Sequence, residues 1–343
     1  MFREALTYDD VLLVPQYSDI ESRKEVNIGN WLDESRGLWF DLPLIASPMD
    51  TVCEDQMAIT IGKMGGLGII HRYNTIERQC EIAEAVSQEI YNDKFGCAIG
   101  ITGDYLERAE ALVEGGVKIL CLDVAHGDHI LMKKALITLR EKLGNGPHLM
   151  AGNVATVEGA SYLAIWGANS IRVGIGGGSI CSTRIQTGHG VPSLDSVMEC
   201  ARIEHDVAII ADGGIKNSGD IVKALAGGAD FAMLGSILAG SSDTPGEVLV
   251  DSNGQNRKVY RGMASKDAQM DWRGKTSSLE GISTTIPYKG STNETIQQLE
   301  NGIRSGFSYS GARTISKLWA KAKFIRQTSA AARESDTHIL HRK

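Results

Sequence analysis

The stretch Val173–Arg184, VGIGGGSICSTR, sets one cysteine inside a run of glycines. Gly174, Gly176, Gly177 and Gly178 free the backbone to take tight or left-handed conformations. Such a loop can aim amide N–H groups at an anion, or several carbonyl oxygens at a monovalent cation. Cys181 stands near Arg184, and a cationic neighbour with aligned amides would favour the thiolate, the form that attacks carbon. Cysteines elsewhere are as a rule small buried apolar residues; one on a glycine loop is better placed to react. The other five, Cys53, Cys80, Cys97, Cys121 and Cys200, are scattered without a C-x-x-C pair. No zinc site or disulfide framework is therefore expected, and a reduced, cytoplasmic protein is.

A second signal is paired. ADGGI (211–215) and MLGS (233–236) each follow an apolar run, and backbone N–H groups in such turns can hold a phosphate. Asp212 would repel phosphate but suits the two hydroxyls of a sugar, and phosphate plus diol implies a nucleotide. Glu280, flanked by Ser277, Ser278 and Gly281, could act as acid or base only if its loop folds over the site. His71, His126 and His189 are candidate general bases, although their spacing does not separate them from hydrogen-bonded structural histidines.

These residues need a scaffold, and the chain alternates short apolar runs with amphipathic stretches. The runs are 44–47, 67–71, 95–101, 119–124, 148–153, 170–175, 208–214 and 231–236, each rich in Ile, Leu, Val or Ala as buried parallel strands are. Helical patterns lie between, among them 76–90, 105–116 and 218–229, the last with Ser218 as N-cap and Gly227 as stop. Eight strand–helix units predict a closed α/β (β/α)8 barrel with its active site where the strands end. A doubly wound sheet would want a G-x-G-x-x-G after the first strand, and none is there. Residues 1–40 read as an N-terminal arm. Residues 240–300 read as a polar excursion with little apolar anchorage, hence a mobile lid. Residues 301–326 read as helix again. That leaves one catalytic barrel over 1–343, with no inserted regulatory domain.

Composition narrows the function classes. The 343 residues carry a net charge of −7, which argues against a nucleic-acid surface. No apolar run approaches the roughly 20 residues a membrane helix needs. The N-terminus lacks a basic stretch followed by an apolar one, so no secretion signal is read.

With these residues laid out, the chain resembles the inosine-monophosphate dehydrogenase and guanosine-monophosphate reductase family. The resemblance rests on LTYDDVLLVPQYS (6–18), SPMDTV (47–52), GGLGIIHR (65–72), AGNVAT (151–156), GSICSTR (178–184), DGGI with GDIVKAL (212–225) and YRGMAS (260–265), in that family's order. It implies that Cys181 attacks purine C2 to form a covalent thioimidate, with Thr183 and Glu280 as the dyad handling water or ammonia. It implies that Ser179, Gly214, Gly235, Ser236 and Tyr260 hold the phosphate and Asp212 the ribose. Ser47, Met49, Gly262 and Met263 would complete the nucleotide site. Asp123, Asn153, Arg172 and Gly174 would line the nicotinamide side, and carbonyls of Gly176, Gly178 and Cys181 would hold potassium. A homotetramer is implied as well.

Two reactions share that intermediate. SPMDTVCE, DVAHGDH and LGSILAGSSDTPGE resemble the dehydrogenase, which oxidises IMP to XMP with NAD. TRIQTGHG and the length resemble the reductase, which turns GMP into IMP and ammonia with NADPH. The stretch from Gly262 to Glu280 is too short for the dehydrogenase's flap and lacks its Arg-Tyr pair, leaving only Trp272-Arg273 near the place. The expectation is therefore the reductase, with the dehydrogenase as alternative and a non-catalytic nucleotide-binding barrel as the reading from another class. Pro48 and Arg72 depart from the reductase pattern, which would have Asn and Lys there.

Overall fold

The computed structural model describes residues 3–90 and 94–335. Eight parallel strands close a barrel: β1 (Leu44–Ala46), β2 (Leu67–Ile70), β3 (Phe95–Ile99), β4 (Ile119–Asp123), β5 (His148–Val154), β6 (Ser170–Val173), β7 (Ala208–Asp212) and β8 (Phe231–Leu234). They pair in chain order, and β8 returns to β1 with Ala232 opposite Leu44. The fold is thus the expected (β/α)8 barrel. Each strand begins where its apolar run begins, and all but β5 end before the run does. The last residues of each run, such as Ser47, Gly174, Gly213 and Gly235, leave the ladder and enter the loops.

Side chains alternate across each strand. Ile45, Ile69, Cys121, Met150, Ile210 and Met233 fill the barrel interior. Their neighbours Leu44, Ile70, Leu122, Leu149, Ile171 and Leu234 face the surrounding helices. Those helices are α1 (Asp55–Lys63), α2 (Ile76–Glu89), α3 (Tyr105–Glu114), α4 (Ile130–Leu143), α5 (Val157–Ile165), α6 (Ser193–Cys200), α7 (Ser218–Ala226) and α8 (Thr292–Tyr309). The cap of α7 differs from expectation. Asn217, not Ser218, accepts from Asp220 N at 2.9 Å, and Ser218 is the first helical residue. Asn217 stands outside the helix in extended backbone, where an N-cap side chain can reach back to the first free N–H groups.

Outside the barrel, the N-terminal arm takes on pairings that the sequence left open, and two other segments differ from expectation. The N-terminal arm is built into the fold. Its Val11–Leu13 pairs antiparallel with Phe324–Arg326. Its Asn30–Asp33 and Leu38–Phe40 form a hairpin whose Leu32, Leu38 and Phe40 plug the lower barrel, with Phe40 edge-on to Phe231 at 6.0 Å. Residues 301–326 are not one helix: α8 ends at Tyr309, a second helix spans Ile315–Lys321, and Phe324–Arg326 is strand. The apolar pair Phe324–Ile325 lies opposite Leu13 and Leu12 instead of continuing a helical stripe.

The excursion after β8 is shorter and better anchored than expected. It is an antiparallel sheet of Leu249–Val250, Asn256–Arg261 and Ser283–Pro287 with the helix Lys266–Arg273 between the last two, and residues from Thr292 onward belong to α8. Tyr260 and Lys258 are buried, and Lys258 Nζ donates to the Thr244 and Ser241 carbonyls.

Candidate active site

The loops at the C-terminal ends of the strands enclose a cleft of about 410 Å³. Every residue to which the family resemblance gives a catalytic, substrate-binding, cofactor-binding or cation-binding role lines it, whereas the three candidate histidines do not. Ser47 and Met49 come from the loop after β1, Asp123 from the end of β4, and Asn153 from β5. Cys181 and the glycines come from the loop after β6, Asp212 and Gly214 from β7, and Gly235 and Ser236 from β8. Tyr260, Gly262, Met263 and Glu280 come from the excursion. Fragments spread over more than two hundred residues therefore meet because a barrel brings all its strand ends to one face.

Three of these side chains, with Ser278, form a hydrogen-bonded row. Cys181 Sγ donates to Thr183 Oγ1 at 3.2 Å, Thr183 Oγ1 donates to Glu280 Oε2 at 2.8 Å, and Ser278 Oγ donates to Glu280 Oε1 at 2.9 Å. Backbone pairing sets this geometry. Ser182 N donates to Glu280 O at 2.9 Å, Ile282 N to Ile180 O at 3.0 Å, and Cys181 bridges Gly281 antiparallel. Glycine at 281 eases this close approach, because a Cβ there would stand 3.1 Å from Ser265 N and 3.3 Å from Gly262 Cα. The excursion is thus stitched onto the cysteine loop, and its carboxylate reaches the thiol's neighbour.

Arg184 does not take the place expected of it. Its guanidinium donates to Val191 O at 2.6 Å and Ile175 O at 3.4 Å, bracing the glycine loop. The thiol's partner is the Thr183 hydroxyl instead. None of the three histidines lines the cleft. His71 Nε2 pairs with Glu54 Oε1 at 2.7 Å while its Nδ1 accepts from Tyr73 N, His189 pairs with Thr187 O at 2.8 Å, and His126 is exposed.

The floor of the cleft is ionic. Arg172 donates to Asp123 Oδ1 at 2.6 Å and to Asp212 Oδ2 at 2.8 Å, and Asn153 Nδ2 donates to Asp212 Oδ2 at 2.8 Å. Burial alone would lower the pKa of Arg172, but Cys121, Asp212 and Asp123 around it raise it well above its ordinary value. Arg72 approaches Asp123 at 3.8 Å. On the opposite side Ser179 and Tyr260 hydroxyls lie 3.4 Å apart, and burial raises the Tyr260 phenol's pKa. Gly235 keeps that side open: a Cβ there would stand 3.2 Å from Tyr260 Oη, 3.4 Å from Met49 Sδ and 3.4 Å from Ser47 Oγ.

Two lining residues are not marked by the sequence patterns above. Tyr73 donates its hydroxyl to Met263 O at 2.8 Å and stacks on Trp272 at 6.0 Å, with Arg72 and Arg273 near its ring. Gln269 is buried within the excursion and bonded to four groups there. A polar residue following Ala268 on the buried face of DAQMDWR was the available signal for Gln269; nothing in the sequence marked Tyr73.

Residues 5–338 match the family model described as IMP dehydrogenase / GMP reductase domain. An inosine-5'-monophosphate dehydrogenase of Nitrosopumilus maritimus (strain SCM1) is 32% identical, with 98% of each chain covered. A GMP reductase of Leishmania major is 33% identical, covering 98% of this chain and 97% of that protein. The crystal structure of a cysteine-to-alanine variant of GMP reductase from Trypanosoma brucei, in complex with guanosine 5'-monophosphate, superposes with a TM-score of 0.92 at 30% identity, over 98% of each chain. No described helix is long and apolar enough to cross a membrane. The chain belongs to the IMP dehydrogenase / GMP reductase family of purine nucleotide oxidoreductases.

Proposed function

We propose that this chain is a GMP reductase, releasing ammonia from GMP and forming IMP through a covalent bond between Cys181 and purine C2. The observation that carries this reading is the Cys181–Thr183–Glu280 row, held by a short excursion in which the only Trp-Arg pair is engaged with Tyr73. The row can accept the thiol proton at Glu280 through Thr183 as Sγ attacks C2. The same carboxyl can then return a proton to the departing amine, so that ammonia leaves and the thioimidate remains. Hydride addition at C2 then expels the thiolate and leaves IMP. The excursion lacks the Arg-Tyr pair that would serve hydrolysis in the dehydrogenase; the Arg72–Tyr73 pair in this cleft comes from the loop after β2 instead.

The β7, β8 and excursion side of the cleft supports nucleotide binding: Gly214, Gly235, Ser236, Ser179 and Tyr260 at the phosphate, and Asp212 at the ribose through the carboxylate oxygen that Arg172 and Asn153 leave free. The β2 to β6 side suits a nicotinamide. Arg72 Nε, Asn153 Oδ1 and Arg172 Nε are buried there without hydrogen-bond partners. Donors and acceptors left open in one wall fit a carboxamide. Reduced nicotinamide, taken from NADPH in this reading, supplies the hydride when bound; Asp123, Asn153, Arg172 and Gly174 would orient it. Carbonyls of Gly176, Gly178 and Cys181 are neutral hard oxygens that suit potassium, and Gly178 O, which accepts from Cys181 N at 3.1 Å, keeps a second lone pair. A cytoplasmic homotetramer, as the family resemblance implies, completes the proposal.

The test is a paired assay following the near-ultraviolet absorbance of reduced nicotinamide. GMP with NADPH should lower the absorbance and yield IMP and ammonia in equal amounts. A rise with IMP and NAD, and no reaction with GMP, would assign the dehydrogenase reaction instead.

A further inference from the structure

Gln269 lies on the helix Lys266–Arg273, only 2% exposed, where a long polar side chain is costly unless every polar atom is bonded. Its atoms are bonded on both sides. Nε2 donates to Ala264 O at 3.0 Å and to Ser278 O at 2.9 Å, while Oε1 accepts from Ser277 N at 2.7 Å and Ser277 Oγ at 3.0 Å. Three of the four bonds grip the two residues that lead into Glu280. Ser278 then donates its own hydroxyl to Glu280 Oε1 at 2.9 Å, leaving Oε2 to Thr183. A continuous path therefore runs from one buried amide through Ser277 and Ser278 to the carboxylate, then to Thr183 and the thiol. The segment it grips has no regular structure between Gly274 and Glu280 and so has no ladder of its own to hold it.

We infer that Gln269 is a positioning residue, a clip that holds the loop so that Glu280 keeps one oxygen on Thr183 and the other on Ser278. The inference rests on the proton-relay reading of that row. Gln269 acts through Glu280 and touches neither thiol nor hydroxyl of the reacting pair. The polar clip is needed because the loop's own residues, GKTSSL, offer little apolar surface to bury, so hydrogen bonds must supply the order that packing supplies elsewhere.

The test is a double-mutant cycle on the full-length enzyme. Gln269→Met keeps the bulk and removes all four bonds; Glu280→Gln removes the relay's acid. Gln269→Met should lower kcat about tenfold, the range set by losing bonds that orient a charged group. Nucleotide affinity measured by calorimetry should stay unchanged, which separates positioning from binding. In the Glu280→Gln background the Gln269 change should have no further effect on kcat, because both act on one step. Equal losses in both backgrounds would overturn the inference while leaving the relay standing. An undiminished kcat in Glu280→Gln would overturn the relay itself, and the clip with it. Should Gln269→Met fail to fold, Ser277→Ala, at an exposed position, runs the same cycle by removing the Ser277 Oγ bond to Gln269 Oε1: a loss of kcat confined to the Glu280 background supports the clip, and equal losses in both backgrounds overturn it.

Discussion

Each end of the barrel carries a row of acid, relay and hydroxyl or thiol, and the two rows have opposite fates. At the lower end His148 Nδ1 lies 2.9 Å from Asp33 Oδ2, and Nε2 lies 2.8 Å from Ser170 Oγ. At the upper end Glu280, Thr183 and Cys181 are spaced at 2.8 and 3.2 Å. The lower row has the residue types of a hydrolytic triad, and its contacts are no looser. Yet His148 and Ser170 have no exposed surface, and neither lines the cleft. The lower row is a strut joining the plug hairpin to β5 and β6; the upper row lines an open cleft. Access, more than the bonds themselves, separates the two rows, and the open one lies at the C-terminal face, where barrels of this kind hold their active sites.

The sharpest break in that comparison comes from removing the thiol and the hydroxyl in turn. Cys181→Ala should lower kcat by roughly 10⁴-fold or more, whereas Ser170→Ala should leave kcat of the folded enzyme within about twofold. A Ser170 variant that stays folded but loses turnover would erase the distinction.

Next in size is the strut's contribution to stability. Burial lowers the pKa of His148 against the pull of Asp33, so its ring is neutral at pH 7. Burial opposes ionisation of Asp33 too, but hydrogen bonds from His148 and Ser35, with His148 and Arg36 nearby, hold its pKa well below the usual range. Both folded values lie below the unfolded ones. Their joint contribution is present above about pH 6.5, declines as acid charges the histidine, and falls again as pH drops through the aspartate's folded value. His148→Ala should lower unfolding free energy by about 2–3 kcal/mol, through the cavity it leaves and the lost bonds to Asp33 and Ser170, while Ser35 and Arg36 still hold the carboxylate. It should also flatten the acid limb of a stability-against-pH curve.

Asp230 should show the reverse sign at the same end. Burial pushes its carboxyl up to about 6, against hydrogen bonds from Ile209 N and Asn30. A raised folded value means its contribution is full below about pH 4 and is lost as pH rises through its folded value. Asp230→Asn should therefore raise Tm at pH 8 by a few degrees and give no gain at pH 4; a gain independent of pH would contradict that assignment.

The smallest effect belongs to the upper end's cover. Trp272→Ala should remove the stack on Tyr73, worth about 1 kcal/mol. Proteolytic nicking between Asp271 and Ser278 should then quicken by about fivefold if local opening controls cleavage. Unchanged nicking would mean that the Arg261–Asp271 pair and the Gln269 bonds hold the cover alone.

The barrel was legible because strands buried on both faces read as continuous apolar runs, and all eight begin where those runs begin. The plug hairpin and the pairing of Val11–Leu13 with Phe324–Arg326 were not. Their strands are short, and their register is set by partners far along the chain, which no local period records. Cys181, Asp212 and Glu280 drew notice because their types and neighbours imply chemistry. That Arg184 turns away from the thiol was not legible, because sequence proximity says nothing about where a long side chain finds its acceptors.

Local composition alone thus determined the alternation of strand and helix, the glycine loop and its thiol, and the family motifs in their order. It could not determine that Glu280 reaches Thr183 across ninety-seven positions, that Gln269 holds the loop leading to it, or that a serine–histidine–aspartate row would be sealed at the wrong end. Those outcomes depend on which backbones lie side by side and which surfaces water can reach, and both are properties of the closed barrel with its excursion folded back, set by long-range packing.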